Sequence, residues 1–323
     1  MNKIKIALIG GSGFIGSRFI EIFKNTYDIR ILDIKASLAF PNLYDYCDVR
    51  EITDLRNNLL SNDIIINLAA EHHDNIQPIS KYYETNTIGA KNICKVAKEK
   101  DIRKIIFTST VAVYGLSNEP KSESSATFPF NDYGKSKLDA EKYYKIWQEE
   151  CNTSLTIIRP TAIFGPLNRG NIYNLFNQIA NDRFIMIGNG KSIKSIGYVD
   201  NLSHFISAAI KSDINQSRIY NFVDKPDLPT GQLVSIIRLG LNKKASQVFI
   251  PYFIAYTLGL MLDFLARLLS REFTISSIRI KKFCSSTVIE SNYVLPDYKQ
   301  VVTIEKGISK TLKYEFLNSS SDQ

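Results

Sequence analysis

Histidine, cysteine and tryptophan are scarce in this 323-residue chain, and each scarcity removes a class of chemistry. Cys47, Cys94, Cys151 and Cys284 lie far apart without a C-x-x-C pair, which argues against a disulfide framework and for reduced thiols in a cytoplasmic protein. The only histidines are His72, His73 and His204. No H-E-x-x-H occurs, and Glu71-His72-His73-Asp74 has the wrong spacing for a helical zinc pair, so no metal is expected. There is no internal repeat and no low-complexity run apart from the polar tail Asn318 to Gln323, which is expected to fray. No signal peptide is expected either, because Met1-Asn2-Lys3 runs straight into an apolar stretch. Acidic residues are outnumbered, giving a net charge of +8 and a pI near 9.1. Such a balance suits nucleic acid or an anionic membrane surface. No helix-turn-helix or aromatic-basic RNA motif accompanies it, so nucleic acid is not expected.

What is present begins at residue 4. Ile4 to Ile9 reads as a buried parallel strand, followed at once by Gly10-Gly11-Ser12-Gly13-Phe14-Ile15-Gly16. Gly11, Gly13 and Gly16 satisfy G-x-G-x-x-G, while Gly10, Gly13 and Gly16 satisfy G-x-x-G-x-x-G. Helical character from Ser17 to Lys24 completes the order strand, glycine turn, helix, which sets a dinucleotide pyrophosphate at a helix N-terminus. A second strand, Ile29 to Leu32, ends in Asp33, at the distance where a carboxylate binds a ribose diol. An acid there repels a 2′-phosphate, so NAD is favoured over NADP, with Lys35 nearby softening that preference.

Strands and helices keep alternating: strands at Asp63 to Leu68, Arg103 to Thr108 and Leu155 to Arg159, helices at Asn86 to Glu99 and Tyr133 to Glu149. The expected architecture is α/β, a doubly wound parallel Rossmann sheet over residues 1–165 with a smaller C-terminal substrate lobe over 166–323. Segments of the second half, 198–223 among them, are expected to cross back to the sheet. The site then lies beyond the carboxyl ends of the strands.

Two features near that edge carry the chemistry. Thr108, Ser109 and Thr110 emerge where the strand from Arg103 ends, although strand-end hydroxyls often serve turns alone. In Tyr133-Gly134-Lys135-Ser136-Lys137, Lys137 sits one helical turn beyond Tyr133 on the same face. An ammonium there favours the phenolate of a tyrosine whose ordinary pKa is about 10, making it a base near neutral pH.

The chain resembles the extended short-chain dehydrogenase/reductase family, the sugar epimerases and dehydratases, over nearly its whole length. The resemblance implies Tyr133 as catalytic base, Lys137 as its partner and Thr110 at the position held by Ser or Thr. It implies that Asp48-Val49 contacts adenine, that Asn67-Leu68-Ala69-Ala70 runs under the cofactor, and that Asn86 is a buried helix asparagine. Arg159-Pro160-Thr161-Ala162-Ile163-Phe164-Gly165-Pro166 resembles the strand and loop entering the sugar lobe, and Tyr198-Val199-Asp200 another loop of the site. Sugar 4,6-dehydratases of the family carry Asp-Glu after the catalytic Ser/Thr; here Val111-Ala112 follows Thr110, which disfavours dehydration.

Longer strings, among them Ala69-Ala70-Glu71-His72, Asn168-Arg169-Gly170-Asn171 and Arg279-Ile280-Lys281-Lys282, are similar to the branch that epimerises a lipid-linked amino sugar at C4 for bacterial surface polysaccharide, including O-antigen of lipopolysaccharide. Asn171, Arg169 and Lys194 are candidate substrate contacts, the two cations for a diphosphate, though surface cations are commonly just solvated. Rival expectations are a soluble UDP-sugar 4-epimerase, a nucleotide-sugar reductase or dehydrogenase, and a non-catalytic NAD-binding regulator. The resemblance admits a homodimer paired through helices, which is common in the family, but no residue pattern here fixes the oligomeric state.

The stretch 249–271 is very apolar but is broken by Pro251, Asp263 and Arg267, leaving less than the ~20 residues of a spanning helix. On a helical projection Asp263, Arg267, Ser270 and Arg271 share one side, with Leu258, Met261, Leu262, Leu265, Leu268 and Leu269 opposite. Such a segment either rests in a membrane interface, consistent with a peripheral place on the cytoplasmic face of the inner membrane, or packs in a core or dimer.

Overall fold

The computed structural model describes residues 3–73, 76–117, 119–212, 216–244, 249–269 and 276–317. Met1, Asn2, Asp74, Ser270, Arg271, the tail Asn318 to Gln323 and the side chain of Arg267 lie outside the description. The first half runs β1 (Lys5–Ile9), α1 (Phe14–Phe23), β2 (Asp28–Asp33), β3 (Tyr44–Tyr46), α2 (Ile52–Asn58) and β4 (Ile64–Asn67). A helical stretch follows: α3 (Ser80–Tyr82), a π-turn over Tyr83–Ile88, then α4 (Gly89–Glu99). Next come β5 (Lys104–Thr108), α5 (Asp132–Cys151) and β6 (Ser154–Pro160).

The second half holds β7 (Ala162–Phe164), α6 (Asn171–Ala180), β8 (Met186–Ile187), β9 (Ile193–Lys194), β10 (Ile196–Tyr198), α7 (Val199–Lys211) and β11 (Ser217–Phe222). It continues through β12 (Leu228–Pro229), α8 (Thr230–Gly240), β13 (Phe249–Ile250), α9 (Tyr252–Leu269), α10 (Ser277–Cys284) and α11 (Ile304–Leu312).

Seven strands form one parallel sheet in the order β11-β6-β5-β4-β1-β2-β3. Successive strand residues face opposite sides, so a sheet covered on both faces needs unbroken apolar strands, and Ile64-Ile65-Ile66 is one. Ile65, Ile105 and Ile157 pack with Ile93, Tyr144 and Trp147 of α4 and α5. Ile66, Ile106 and Ile158 pack on the other face with Phe19 of α1 and Phe205 and Ile206 of α7. Each such side chain, sealed from water, contributes roughly 1.5–3 kcal/mol by burial. This is the doubly wound α/β fold the strand pattern predicts. Part of the second half belongs to it: α7 covers one face, and β11 pairs with β6 from Ser217 opposite Leu155 to Phe222 opposite Pro160. A third apolar cluster joins Phe164, Phe176, Ile179, Leu233, Ile237 and Ile308 from β7, α6, α8 and α11.

The stretch expected as one helix from Asn86 is a π-turn that opens into α4 only at Gly89. Asn86 is the reason. Its side chain accepts from Glu71 N and donates to Glu71 O and Ser136 Oγ, stitching the loop after β4 to α5. Single widened turns of this kind occur inside helices, frequently at functional sites.

Candidate active site

The carboxyl ends of β1, β2, β4 and β5 gather at one edge of the sheet, and the glycine turn crosses that edge. Gly10 has a φ of +75°, and a Cβ there would sit 2.5 Å from Ala69 N, so only glycine lets the turn lie against the loop after β4. At Gly16 a Cβ would meet Gly11 O at 2.5 Å, so α1 closes directly on the turn. Gly13 caps α1 without any side-chain cap, no acid lies in the first turn, and Ser12 Oγ is enclosed with no hydrogen-bond partner. Uncapped N–H groups, a helix dipole and an unanswered hydroxyl together fit a diphosphate. Phe14 and Ile15 open that first turn. Asp33 stands beside it, its carboxylate accepting from Ser12 N at 3.1 Å and Lys35 N at 3.0 Å, and keeps lone pairs for a diol.

Leu68 N donates to Ile9 O, and Asn67 Oδ1 accepts from Ala69 N, so Leu68, Ala69 and Ala70 form a loop laid along the turn. Asn67 Nδ2 in turn donates to the buried Tyr144 hydroxyl at 2.7 Å. Asp48 is clasped by Arg50 through Nε and Nη2, which holds its carboxyl below the usual range, while Val49 is buried under Gly89.

On α5, Asn131 caps the helix by accepting from Gly134 N at 3.0 Å, which fixes its first turn where Tyr133 stands. Burial pushes the pKa of the Tyr133 phenol up, and the nearby Thr110 side chain draws it back. Thr110 also accepts from Ala112 N at 3.1 Å, anchoring the short turn after β5. Lys137 is buried with its ammonium 4.3 Å from the Phe107 ring centroid. Burial lowers its pKa to about 7, opposed by the charge of Glu141 one turn on. Burial of Lys137 and the half-buried place of Tyr133 therefore favour the neutral forms of both, where the sequence alone suggested a stabilised phenolate.

Arg169 is exposed, stacked 4.3 Å over Tyr173 and paired with Glu315 at 3.0 Å. Asn171 is the exposed first residue of α6. Lys194 donates to Lys282 O at 3.0 Å and Ser285 O at 2.5 Å, so its ammonium closes the C-terminal end of α10. Asp200 binds Arg18 of α1 at 2.6 Å and thereby braces the helix behind the glycine turn. In α9 Asp263 turns inward to accept from Ser277 N and Oγ of α10.

Sequence reading missed the charge behind Lys137. Glu141 accepts from Ser109 Oγ at 2.5 Å and from Arg159 Nη2 at 2.6 Å, and Arg159 donates on to the Tyr114 hydroxyl, which donates to Asn221. The available signal was the spacing Tyr133, Lys137, Glu141, three polar groups on one helical face.

A dinucleotide cradle, a strand-end threonine near a tyrosine and a buried lysine define a nicotinamide-dependent enzyme of alcohols. Residues 6–222 match the NAD dependent epimerase/dehydratase family, and the chain belongs to that family, as the motifs imply. Its relatives narrow the class. An N-acetyl-alpha-D-glucosaminyl-diphospho-ditrans,octacis-undecaprenol 4-epimerase of Escherichia coli O157:H7 is 40% identical over 325 residues, covering 98% of this chain and 97% of that one. A UDP-glucose 4-epimerase of Vibrio cholerae is 25% identical over 257 residues, 76% of this chain and 78% of that one. Among solved structures, the UDP-N-acetylglucosamine 4-epimerase of Methanobrevibacter ruminantium, in complex with UDP-N-acetylmuramic acid, shares the fold with a TM-score of 0.76 at 20% identity, covering 99% of this chain and 100% of that chain. The UDP-glucuronic acid 4-epimerase of Bacillus cereus, in complex with NAD, does so with a TM-score of 0.74 at 18% identity, covering 96% and 98%.

Proposed function

We propose that this chain is an NAD-dependent 4-epimerase that interconverts GlcNAc and GalNAc carried on diphospho-undecaprenol, in the service of surface polysaccharide assembly. The observation that carries the chemistry is Tyr133 in the first turn of α5, one helical turn from the buried Lys137, with the Thr110 hydroxyl nearby at the end of β5. The carrier is supported by the 40% identity to the lipid-linked epimerase over 98% of the chain.

Gly10, Gly13, Phe14, Ile15 and Gly16 would hold the cofactor diphosphate, Asp33 the adenosine ribose, Asp48 and Val49 the adenine, and Leu68, Ala69 and Ala70 the floor beneath it. NAD held there would supply a two-electron oxidant for the C4 carbinol and, once reduced, the matching reductant. Tyr133, as phenolate, accepts the proton of the C4 hydroxyl and gives it back. Thr110 donates a hydrogen bond to that oxygen as its charge develops. Lys137, when charged, favours the phenolate. The 4-keto sugar must then turn over so that the opposite face is presented. Val111 and Ala112 place no acid beside Thr110, so elimination of water has no proton donor there. The chain beyond residue 165 would take the sugar and its diphosphate, with Asn171, Arg169 and Lys194 as candidates; Lys194 would do so with the donor left after its two carbonyl bonds. A lipid-linked substrate sets this work at the cytoplasmic face of the inner membrane.

The test is product identity. The chain is incubated with NAD and either GlcNAc-diphospho-undecaprenol or UDP-GlcNAc, and the released hexosamine is identified. GalNAc from the lipid-linked sugar supports the proposal; conversion of the nucleotide sugar alone would replace it with a soluble UDP-sugar epimerase.

A further inference from the structure

Half the circumference of α9 is bare. Phe253, Leu258, Met261, Phe264 and Leu268 are between 51% and 70% exposed along an 18-residue helix, about 27 Å long at 1.5 Å per residue. The opposite side is committed to α10. Ala255 is buried, a Cβ at Gly259 would sit 2.8 Å from Ile280 Cδ1, and Asp263 holds Ser277 at 2.6 Å. The only carboxylate of α9 therefore faces protein, and the outward arc is apolar. A face of that size on a folded protein calls for a partner.

We propose that α9 and α10 form a docking element for an anionic lipid surface, with α9 lying in the plane of the interface. Three observations favour lipid over protein. Arg279 and Lys281 are exposed on α10, the helix packed against α9, so one helix pair offers an apolar arc for the acyl boundary and cations for acidic head groups. Tyr252 and Phe253 begin the helix, aromatic groups of the kind that settle at such boundaries. Among the described residues no helix is long and apolar enough to cross a membrane, so the element lies on the surface.

The same helix pair reaches the mouth of the site. Lys282 of α10 stacks 4.4 Å from the Phe130 ring centroid, three residues before Tyr133, and the Lys282 and Ser285 carbonyls hold Lys194. Docking through α9 would bring α10, and with it the segment leading to Tyr133, to the bilayer that carries a membrane-anchored sugar. This last step rests on the lipid-linked reading; the docking itself does not.

The test uses the full chain and vesicles free of substrate. Flotation with vesicles containing phosphatidylglycerol is expected to recover the protein. Phosphatidylcholine vesicles, or Lys281→Glu on the anionic ones, should bind several-fold less. The double variant Phe264→Ser, Leu268→Ser should bind at least about tenfold less, with an unchanged Tm because both side chains are solvent-facing. No flotation of the wild-type chain overturns the proposal. So does a concentration-dependent dimer, seen by sedimentation, that the double variant abolishes without any vesicle binding, since a second copy then covers the face. Conversion of detergent-solubilised GlcNAc-diphospho-undecaprenol is scored separately, so loss of docking and loss of the substrate reading give different results.

Discussion

Glu141 on α5 and Arg159 on β6 form an ion pair of 2.6 Å with both side chains almost wholly shielded from water. The pair is the hub of a chain that runs from Ser109 through Glu141, Arg159 and Tyr114 to Asn221 and Glu123. It locks the helix bearing Tyr133 and Lys137 to the ends of β5, β6 and β11, and it places a carboxylate behind a buried ammonium. Glu141→Gln strands the Arg159 charge and is expected to cost about 3–5 kcal/mol in urea unfolding. Glu141→Leu combined with Arg159→Met should restore most of that stability yet leave turnover low, because Lys137 has then lost its counter-charge. Full activity in the double variant would show that Glu141 does no more than pack.

Thr110 and Tyr133 should separate cleanly by kinetics. Tyr133→Phe keeps the ring and is expected to lower kcat by about 10²–10⁴ or more, with an unchanged circular dichroism spectrum. Thr110→Val should fall short of that loss, and Thr110→Ser should recover most of the activity, since only the hydroxyl is used.

The buried ammonium of Lys137 makes stability depend on pH with a definite sign. Its folded pKa, about 7, lies below the ordinary 10.5, so between these values the unfolded chain holds more protons. The destabilisation is complete below about pH 7 and is relieved as pH rises toward 10.5. Lys137→Met should therefore be more stable than the parent at pH 6, by up to about 5 kcal/mol, with the gap closing by pH 10, and should be inactive throughout. Urea midpoints across that range measure it.

Asp224 gives the opposite sign. Its carboxylate accepts from Tyr198 N and Asn201 Nδ2 through Oδ2, while Oδ1 is enclosed without a partner, and burial raises its pKa from 3.8 to about 6. The folded chain holds the extra proton, so this contribution is present below about pH 4 and is lost as pH rises through about 6. Asp224→Asn should flatten that part of the stability curve, which for the parent amounts to roughly 3 kcal/mol.

The sheet was legible because a strand covered on both faces must be apolar throughout, as Ile64 to Ile66 is, and because the glycine turn needs its glycines for close approach. The Tyr133–Lys137 spacing was legible for the same local reason: one helical turn. Other features depended on contacts between residues distant in sequence. Glu141 was not singled out, since nothing within α5 announces Arg159. Helical projection set Asp263 on a polar side without showing its partner, which Ser277 supplies. Lys194 read as a candidate for the diphosphate, and the C-terminal carbonyls of α10 take two of its donors. The π-turn before α4 follows from Asn86 reaching Ser136, 50 residues away.

The most direct measurement of the central claim is the fate of the hydrogen on C4. GlcNAc-diphospho-undecaprenol deuterated at that carbon is incubated with the chain and NAD in ordinary water. A redox-neutral epimerisation predicts GalNAc that keeps the deuterium at C4, with no net change in the NAD pool. Product whose C4 carries hydrogen from solvent, or reduced cofactor accumulating in step with product, would contradict it.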